Sequence, residues 1–264
     1  IKSSTTDVLT DSGYKTSELG FSLGTKFEQF QNIFLSPEID LLLEDLETSS
    51  KATNTLKKQE GSYTDLYFNY SINQDLRDKK FRTESGYQTF FIQEVPIISD
   101  NSEFSNAFEI SKFKKLSTRS DTVGKISFYA KTITGLSDDV RISKRLNIPS
   151  SKLRGFEKGR VGPVDNNDFV GGNHVTALNL SATLPNIVEG LDNLDVGVFI
   201  DAANVWGVDY NSSLDDKNTI RTSTGVAFNL LTPIGPLSFS FANALTKAST
   251  DKTETFRFRL GTQF

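Results

Sequence analysis

The stretch that decides the fold runs from residue 194 to residue 201 and reads Leu-Asp-Val-Gly-Val-Phe-Ile-Asp. Every second residue is apolar, and three of the four residues between them are acidic or glycine. Successive side chains of a β-strand point to opposite faces, so a period of two produces one apolar face and one mostly polar face. The segment therefore predicts a two-faced β-strand.

The same alternation recurs along the whole chain, whereas the helix signal is weak. The longest helix-like stretch, 41–56, has Leu-rich spacing but no clean cap or apolar stripe. The pattern predicts eleven strands, near residues 14–27, 31–46, 62–73, 85–98, 102–116, 121–134, 173–184, 192–203, 218–231, 236–246 and 253–264.

Strand length and the polarity of the two faces favour a membrane protein. A strand of about 11 residues, rising about 3.3 Å per residue and tilted by about 45°, spans roughly 25 Å. A soluble barrel or sandwich is the alternative, but its strands are mostly about five or six residues long. The sequence predicts an all-β fold: a transmembrane antiparallel β-barrel of the outer membrane, here a partial barrel of about eleven strands.

Composition excludes several kinds of function. The chain has 264 residues, with Lys+Arg 29, Asp+Glu 33, one His, no Cys and no Met. Without cysteine there are no disulfides or thiol nucleophiles, and one histidine makes a Ser-His-Asp triad or a multi-histidine metal site a poor hypothesis. A net charge of −4 argues against nucleic acid as a partner. We expect no enzyme activity, no metal and no cofactor.

The predicted connections alternate in length. Short ones fall at 28–30, 117–120, 185–191 and 232–235, and long ones at 47–61, 135–172 and 204–217. Bacterial barrels place short turns in the periplasm and long loops outside. On this assignment, residues 1–13 belong to an outer loop, and the connections 74–84 and 99–101 break the alternation.

Loop 135–172 is the longest predicted connection. Loops of this length are usually functional or disordered. This one carries many apolar residues, namely Val140, Ile142, Leu146, Ile148, Leu153 and Phe156. We therefore expect it to fold into the lumen of the barrel and pack against the wall.

Five segments carry a family resemblance. They are Leu153-Arg154-Gly155-Phe156, Phe169-Val170-Gly171-Gly172-Asn173, the stretch 199–206 (FIDAANVW), the stretch 232–237 (TPIGPL) and the C-terminal stretch 256–264 (FRFRLGTQF). In this order they resemble the C-terminal barrel of the BamA family, the outer-membrane protein assembly factors of the bacterial surface antigen superfamily. Residues 75–81 with Gly86 look like that family's mid-barrel periplasmic turn.

The resemblance implies a domain organisation and partners. Residues 1–264 would be the C-terminal part of one outer-membrane β-barrel domain of a Gram-negative bacterium. The chain begins at Ile1, and the first five strands, the periplasmic POTRA repeats and the signal peptide would be absent from it. Implied partners are outer-membrane lipids and lipopolysaccharide, unfolded outer-membrane protein clients, and accessory assembly lipoproteins that bind the absent repeats.

The resemblance also implies a site inside the barrel. The tip Leu153-Arg154-Gly155-Phe156 would fold back into the lumen, and Arg154 would contact an acidic side chain of the wall. Asp201 is the expected partner, because it lies on the polar face of its strand and a carboxylate matches the planar fork of arginine. The family's second acid would fall at Ser181, so a clamp of two acids is in doubt.

A second implied site is the C-terminal strand. Its alternating residues Phe256, Phe258 and Leu260, with the terminal Phe264, resemble the signal by which outer-membrane barrels are recognised for insertion. Gly261 matches a glycine at which the family's last strand kinks beside a weak seam, although a simple strand end is a nearly equal alternative. The motif Gly171-Gly172-Asn173 would open the strand that follows the long loop.

The function implied is the folding and insertion of β-barrel proteins through that seam, without a chemical active site. One alternative is a polypeptide transporter of the same superfamily, either TamA-like or of the two-partner secretion type. A passive porin is a further alternative, but it would need a constriction with rings of charge.

Overall fold

A computed structural model describes residues 1–10, 12–117, 121–185, 190, 193–214, 219–232 and 235–260. The strands in these residues are β1 (Lys2–Val8), β2 (Tyr14–Gly24), β3 (Phe27–Phe30), β4 (Ile33–Thr48), β5 (Gly61–Asp75), β6 (Gly86–Ser99), β7 (Glu103–Lys115), β8 (Val123–Gly135), β9 (Val164–Asp165), β10 (Asp168–Phe169), β11 (His174–Pro185), β12 (Leu194–Trp206), β13 (Arg221–Thr232), β14 (Gly235–Thr246) and β15 (Phe256–Leu260). The helices are short: α1 (Asn54–Lys57) and two 3₁₀ turns, Ile142–Lys144 and Ser212–Leu214. None of the helices in the described part of the chain is long and apolar enough to cross a membrane.

The strands form one antiparallel sheet in which neighbours along the chain are neighbours in space. Its order is β1-β2-β4-β5-β6-β7-β8-β11-β12-β13-β14-β15, and β3 pairs with the first residues of β4. The separate hairpin β9–β10 lies within the long connection between β8 and β11. Among the described residues β1 and β15 are the two ends of this order, so the sheet is open there.

The eleven predicted strands are found within a few residues of their expected bounds. The predicted strands 62–73, 121–134 and 236–246, for example, correspond to β5, β8 and β14. The prediction for 253–264 is confirmed only as far as Leu260, since 261–264 lie outside the described residues. Side-chain alternation located these strands because each of them has two chemically different faces.

The N-terminal segment was wrongly predicted as part of an outer loop. Residues Lys2–Val8 form β1 and pair with β2 from Gly20 down to Tyr14. The stretch KSSTTDV contains one apolar residue, so it carries no alternation of polarity. Its backbone hydrogen bonds to β2 define the strand instead, and the β-branched Thr5 and Thr6 suit extended backbone.

The first predicted strand, 14–27, is also divided differently. β2 ends at Gly24, and the chain continues as β3 along the same neighbour, β4. The predicted turn at 28–30 is therefore wrong, and the reversal falls next to Asn32, whose φ is 62°. Asparagine tolerates this left-handed conformation better than most residues, which fixes the turn at that position.

The two faces of the sheet have opposite polarity, and the apolar face is the exposed one. On β12, Val198 and Ile200 are 49% and 52% exposed, whereas Asp201 is fully buried. The same holds on β8, where Ile126 and Phe128 are exposed and Ser127 is buried. A water-soluble protein has the reverse arrangement, whereas a membrane barrel presents its apolar residues to lipid.

The connection between β8 and β11, residues 136–173, lies against the other face, here called the inner face. Its apolar residues pack on Ile133 of β8, Val175 and Ala177 of β11, and Ala203 and Val205 of β12. Each of the six loop residues expected to pack against the wall is buried: Val140, Ile142, Leu146, Ile148, Leu153 and Phe156. The main hydrophobic core of the described chain therefore lies between this loop and the inner face.

Candidate functional site: the inner loop and the C-terminal strand

The structure brings Arg154 of the loop and Asp201 of β12 together. Arg154 donates from Nε to Oδ2 of Asp201 (2.8 Å) and from Nη2 to Oδ1 (2.7 Å). Its backbone N–H donates to the same Oδ2 at 3.1 Å. The Asp201 side chain is fully buried and that of Arg154 is 21% exposed. Two parallel charge-assisted bonds in a sheltered position make a strong and directional contact.

Two neighbours fix the geometry of this pair. The guanidinium carbon of Arg154 lies 3.4 Å from the centre of the Phe199 ring, so the planar group stacks on an aromatic face. Asn179 of β11 lies directly across from Asp201 and donates Nδ2 to its Oδ1 at 2.8 Å. The same amide nitrogen donates to the carbonyl of Lys152 at 2.7 Å. Asn179 thus joins the wall to the loop.

Ser181, where the resemblance would place a second acid, lies away from the pair. Ser181 lies opposite Phe199 rather than opposite Asp201, so it is one step along β11 from the pair. The residue facing Asp201 is the neutral Asn179. Within the described residues, Arg154 therefore meets one carboxylate, supported by an amide.

Gly155 and Phe156 place the loop tip close to the wall. Gly155 has a φ of 86°, which L side chains rarely adopt. A Cβ there would lie 3.2 Å from Cβ of Ala242 and 3.3 Å from Cβ of Ser223. The Phe156 side chain is buried in the core and Leu153 lies beside it. Glycine is required at residue 155 by its conformation and by the close approach to β13 and β14.

The motif Gly171-Gly172-Asn173 returns the loop to the sheet. Gly172 exchanges two backbone hydrogen bonds with Leu146, of 2.7 and 2.9 Å, and a Cβ on Gly172 would lie 2.4 Å from the carbonyl oxygen of Trp206. Asn173 accepts from Arg145 at 3.1 Å and donates to Asp209 at 2.9 Å. The glycines permit three segments of backbone to meet, and the asparagine fastens them.

Asp209 also forms a direct ion pair with Arg145, and it accepts a hydrogen bond from the backbone N–H of Val140 (2.9 Å). Partial burial alone would raise the pKa of the Asp209 carboxyl. The hydrogen bonds and the charge of Arg145 lower this pKa by more than burial raises it, so the net pKa is below the usual range. Asp209 therefore stays ionised and keeps the start of the loop fastened to the 207–214 segment.

A second anchor of the loop escaped the sequence reasoning. Arg141 is fully buried and contacts three carboxylates on three strands: Glu44 of β4, Asp65 of β5 and Glu103 of β7. Nη1 lies 3.1 Å from Glu44, and both Nε and Nη2 bond Glu103, at 3.2 and 3.1 Å. Its guanidinium also lies over the Tyr63 ring, 4.3 Å from the centre. Arg141 thus attaches the loop to β4, β5 and β7, and Arg154 attaches it to β12.

In the Arg141 cluster, the carboxyl groups outnumber the guanidinium group. One guanidinium faces three carboxylates. The Ser99 hydroxyl also donates a hydrogen bond to Asp65 (2.6 Å), and the Tyr67 hydroxyl donates one to Glu103 (3.2 Å). Burial alone would lower the pKa of Arg141, but the bonds and charges of Glu103 and Asp65 raise it overall. Arg141 is therefore permanently charged. The acids lie 38 to 97 residues from Arg141 along the chain, so no short sequence motif predicts the cluster.

The described part of the C-terminal strand is β15, which pairs with β14 from Phe256 to Leu260. Phe256, Phe258 and Leu260 are 47%, 50% and 60% exposed and lie on the apolar face. Arg257 points to the inner face and reaches the loop. The expected site residues Gly261 and Phe264 lie outside the described residues. In the part of the chain that is described, no group of three or more His, Cys, Asp or Glu side chains could hold a metal ion.

Sequence comparison finds a family that spans the chain. The Omp85 superfamily domain matches residues 3–264. The outer membrane protein assembly factor BamA of Neisseria meningitidis serogroup B (strain ATCC BAA-335 / MC58) is 30% identical over 141 residues, 42% of this chain and 17% of that protein. The protein of the same name from Neorickettsia risticii (strain Illinois) is 24% identical over 218 residues, 81% of this chain and 29% of that protein. The chain thus spans less than a third of these relatives.

Structural comparison agrees on the fold. The crystal structure of BamA from Haemophilus ducreyi lacking POTRA domains 1-3 matches 93% of this chain and 54% of its own, with a TM-score of 0.83 and 21% identity. CdiB from Acinetobacter baumannii matches 94% of this chain and 42% of its own, with a TM-score of 0.58 and 11% identity. These likenesses confirm the predicted partial transmembrane barrel. The chain belongs to the Omp85 superfamily and is an integral outer-membrane protein of a Gram-negative bacterium.

Proposed function

We propose that this chain is the barrel part of an outer-membrane protein assembly factor, which folds and inserts β-barrel proteins through a weak lateral seam at β15. Both sequence relatives described above carry the name of such a factor. The chain spans only part of these relatives. We therefore propose, from the resemblance, both the activity of the whole protein and its domain organisation. Residues 1–264 would be the C-terminal part of one barrel domain that follows periplasmic POTRA repeats.

The observation that carries this proposal is the match of residues 3–264 to the Omp85 superfamily domain, together with two relatives that carry the name of an assembly factor. The seam would lie at β15, whose described pairing with β14 runs from Phe256 to Leu260. A sheet edge presents unpaired N–H and C=O groups, which can bind the backbone of another strand. An unfolded client strand would add to this edge by backbone hydrogen bonds, and no covalent chemistry would be needed.

The loop would hold the shape of the barrel while the edge is used. Arg154 and Asp201 join the loop tip to β12, and Arg141 joins its beginning to β4, β5 and β7. Leu153, Gly155 and Phe156 would keep the tip seated, and the segment Gly171-Gly172-Asn173 would fix its exit. Gly261 and Phe264 would complete the seam strand and its signal.

The partners follow from the two faces and from the edge. Outer-membrane lipids and lipopolysaccharide would contact the exposed apolar face. Unfolded outer-membrane proteins would be the clients at β15. Accessory assembly lipoproteins would bind periplasmic repeats rather than these residues, and nucleic acid is not proposed as a partner.

A second candidate is a polypeptide transporter of the same superfamily. The structural likeness to CdiB, at a TM-score of 0.58, supports this fold relationship but is weaker than the likeness to BamA. A passive porin is disfavoured because residues 136–173 pack against the inner face, where a pore would need open space.

The test is the assembly of an unfolded β-barrel client into vesicles that contain the intact protein. We expect a protease-resistant, heat-modifiable client to accumulate faster than in empty vesicles. The proposal would be contradicted if the client passed into the vesicle interior without insertion, which indicates a transporter. Steady ion conductance with no acceleration of folding would also contradict it and would indicate a porin.

A further inference from the structure

The loop tip is paired to the chain immediately before β15. Glu157 donates its backbone N–H to the carbonyl of Lys252 (3.0 Å), and Lys252 donates to the carbonyl of Arg160 (3.0 Å). Glu254 donates to the carbonyl of Gly155 at 3.1 Å. These backbone bonds run alongside the Arg154–Asp201 pair, so the same tip that is fastened to β12 also carries the entry to the last strand.

Arg257 continues this link from within β15. Its Nη1 donates to the carbonyl of Ser150 at 2.7 Å, and its Nη2 donates to the carbonyl of Phe156. Its Nε donates to Glu254 at 2.9 Å, and the side chain is only 10% exposed. The guanidinium therefore binds two loop carbonyls six residues apart, together with a carboxylate that orients it.

These contacts add to the pairing that the sheet provides. Among the described residues, β15 pairs with β14 over Phe256–Leu260. The bonds of Arg257 join the same strand to the loop from the inner side, so the loop and β14 hold it together.

We infer that Arg257 is a positioning residue that latches the last strand to the inner loop. Breaking its bonds to Ser150 and Phe156 would let β15 move away from β14 while the loop stayed on Asp201. The assignment of β15 as the seam strand rests on the proposed function, but the latch itself is a contact between a loop and a strand. It can therefore be tested separately from client assembly.

The test is hydrogen–deuterium exchange of the peptide covering 254–260, in the intact protein reconstituted in lipid. We expect Arg257→Gln to speed this exchange by about tenfold or more, since several charge-assisted bonds are lost. Arg259→Gln is the matched control, because Arg259 lies on the same face of the same strand and is exposed. Exchange in β5–β8 should not change. Equal exchange in wild type, Arg257→Gln and Arg259→Gln would overturn the inference.

A second variant covers the case in which Arg257→Gln does not fold. Arg154→Gln frees the loop tip from Asp201 without touching Arg257, and it should also speed exchange at 254–260, by a smaller factor. Where both variants fold, their effects should be less than additive in the double variant, because both act through the loop. Additive effects, or no effect of Arg154→Gln, would overturn the latch.

Client assembly distinguishes the latch from the proposed function. Faster exchange with a changed rate of client assembly supports both. Faster exchange with an unchanged rate supports the latch and counts against a seam at β15. Unchanged exchange overturns the latch whatever the assembly rate.

Discussion

The two arginine anchors of the inner loop differ in what surrounds them. Arg141 is fully buried among three carboxylates from β4, β5 and β7. Arg154 is 21% exposed and meets the single carboxylate of Asp201, with an aromatic ring behind it. The first anchor is not exposed to solvent and has three carboxyl partners for one guanidinium group. The second is a simple fork that water can reach, so the difference separates a fixed attachment from an adjustable one.

The two anchors should differ in the free energy lost when one of their members is removed. Removing one member of a fully buried ion cluster leaves unpaired charges in a low-dielectric site and costs about 3–5 kcal/mol. A partly exposed pair loses less, because water replaces some of the lost interaction. We therefore expect folding to depend on Arg141, and the position of the loop tip to depend on Arg154.

The largest expected effect comes from Arg141→Met in the intact protein. It leaves Glu44, Asp65 and Glu103 without their cation and should destabilise the barrel by about 3–5 kcal/mol. Loss of the heat-modifiable folded band, or a lowered unfolding midpoint, measures it. Combining it with Glu44→Gln, Asp65→Asn and Glu103→Gln should recover much of the stability. If Arg141→Met unfolds like wild type, the cluster is not an anchor.

A smaller effect is expected at the Asp201 anchor. Asp201→Arg places a second cation beside Arg154, and we expect the cost to be smaller than at Arg141 because water reaches the Arg154 side chain, which is 21% exposed. Client assembly should slow, and adding Arg154→Asp should restore part of the rate by reversing the pair. A double variant no better than Asp201→Arg would contradict direct contact between the two residues.

An acid-dependent effect is expected at Asp209. Because the pKa of Asp209 is lower in the folded protein, its stabilising contribution is complete above its unfolded pKa of about 3.9 and is lost as pH falls through the folded value. Protection of the amides at 140–146, measured by hydrogen exchange, should hold from neutral pH to about pH 4 and then decline. In Asp209→Asn this protection should be lower at neutral pH, and the Asp209-dependent part of the acid decline should disappear. An identical acid profile in both proteins would contradict the assignment.

The smallest effect is expected at the rim of the loop. Arg160 and Glu157 form an ion pair at 3.2 Å with side chains 36% and 40% exposed. Such pairs contribute about 0–1 kcal/mol. Glu157→Gln should therefore unfold at nearly the wild-type midpoint and serve as the same-loop control for Arg141→Met. A cost comparable to that of Arg141→Met would remove the distinction between buried and exposed anchors.

The sequence predicted what is periodic or resembles a family motif. Alternating polarity placed the strands, and it put Asp201 on the face that Arg154 reaches. It failed for β1, whose Ser and Thr residues carry no contrast between faces, and for the turn at Asn32, which depends on one backbone conformation. The Arg141 cluster was out of reach for a different reason. Its acids come from three separate strands, so only the folded sheet brings them together.

The most direct test of the proposed seam is a crosslink from β15 to an unfolded client during assembly. The chain has no cysteine of its own, so Phe258→Cys would supply a unique thiol within these residues. Leu178→Cys is the control, because Leu178 is similarly exposed on the apolar face but lies on β11, which is paired on both sides. We predict a disulfide between position 258 and a cysteine in the client's last strand, formed while the client folds, and none from position 178. Equal yields at both positions, or none at 258, would contradict the proposed seam at β15.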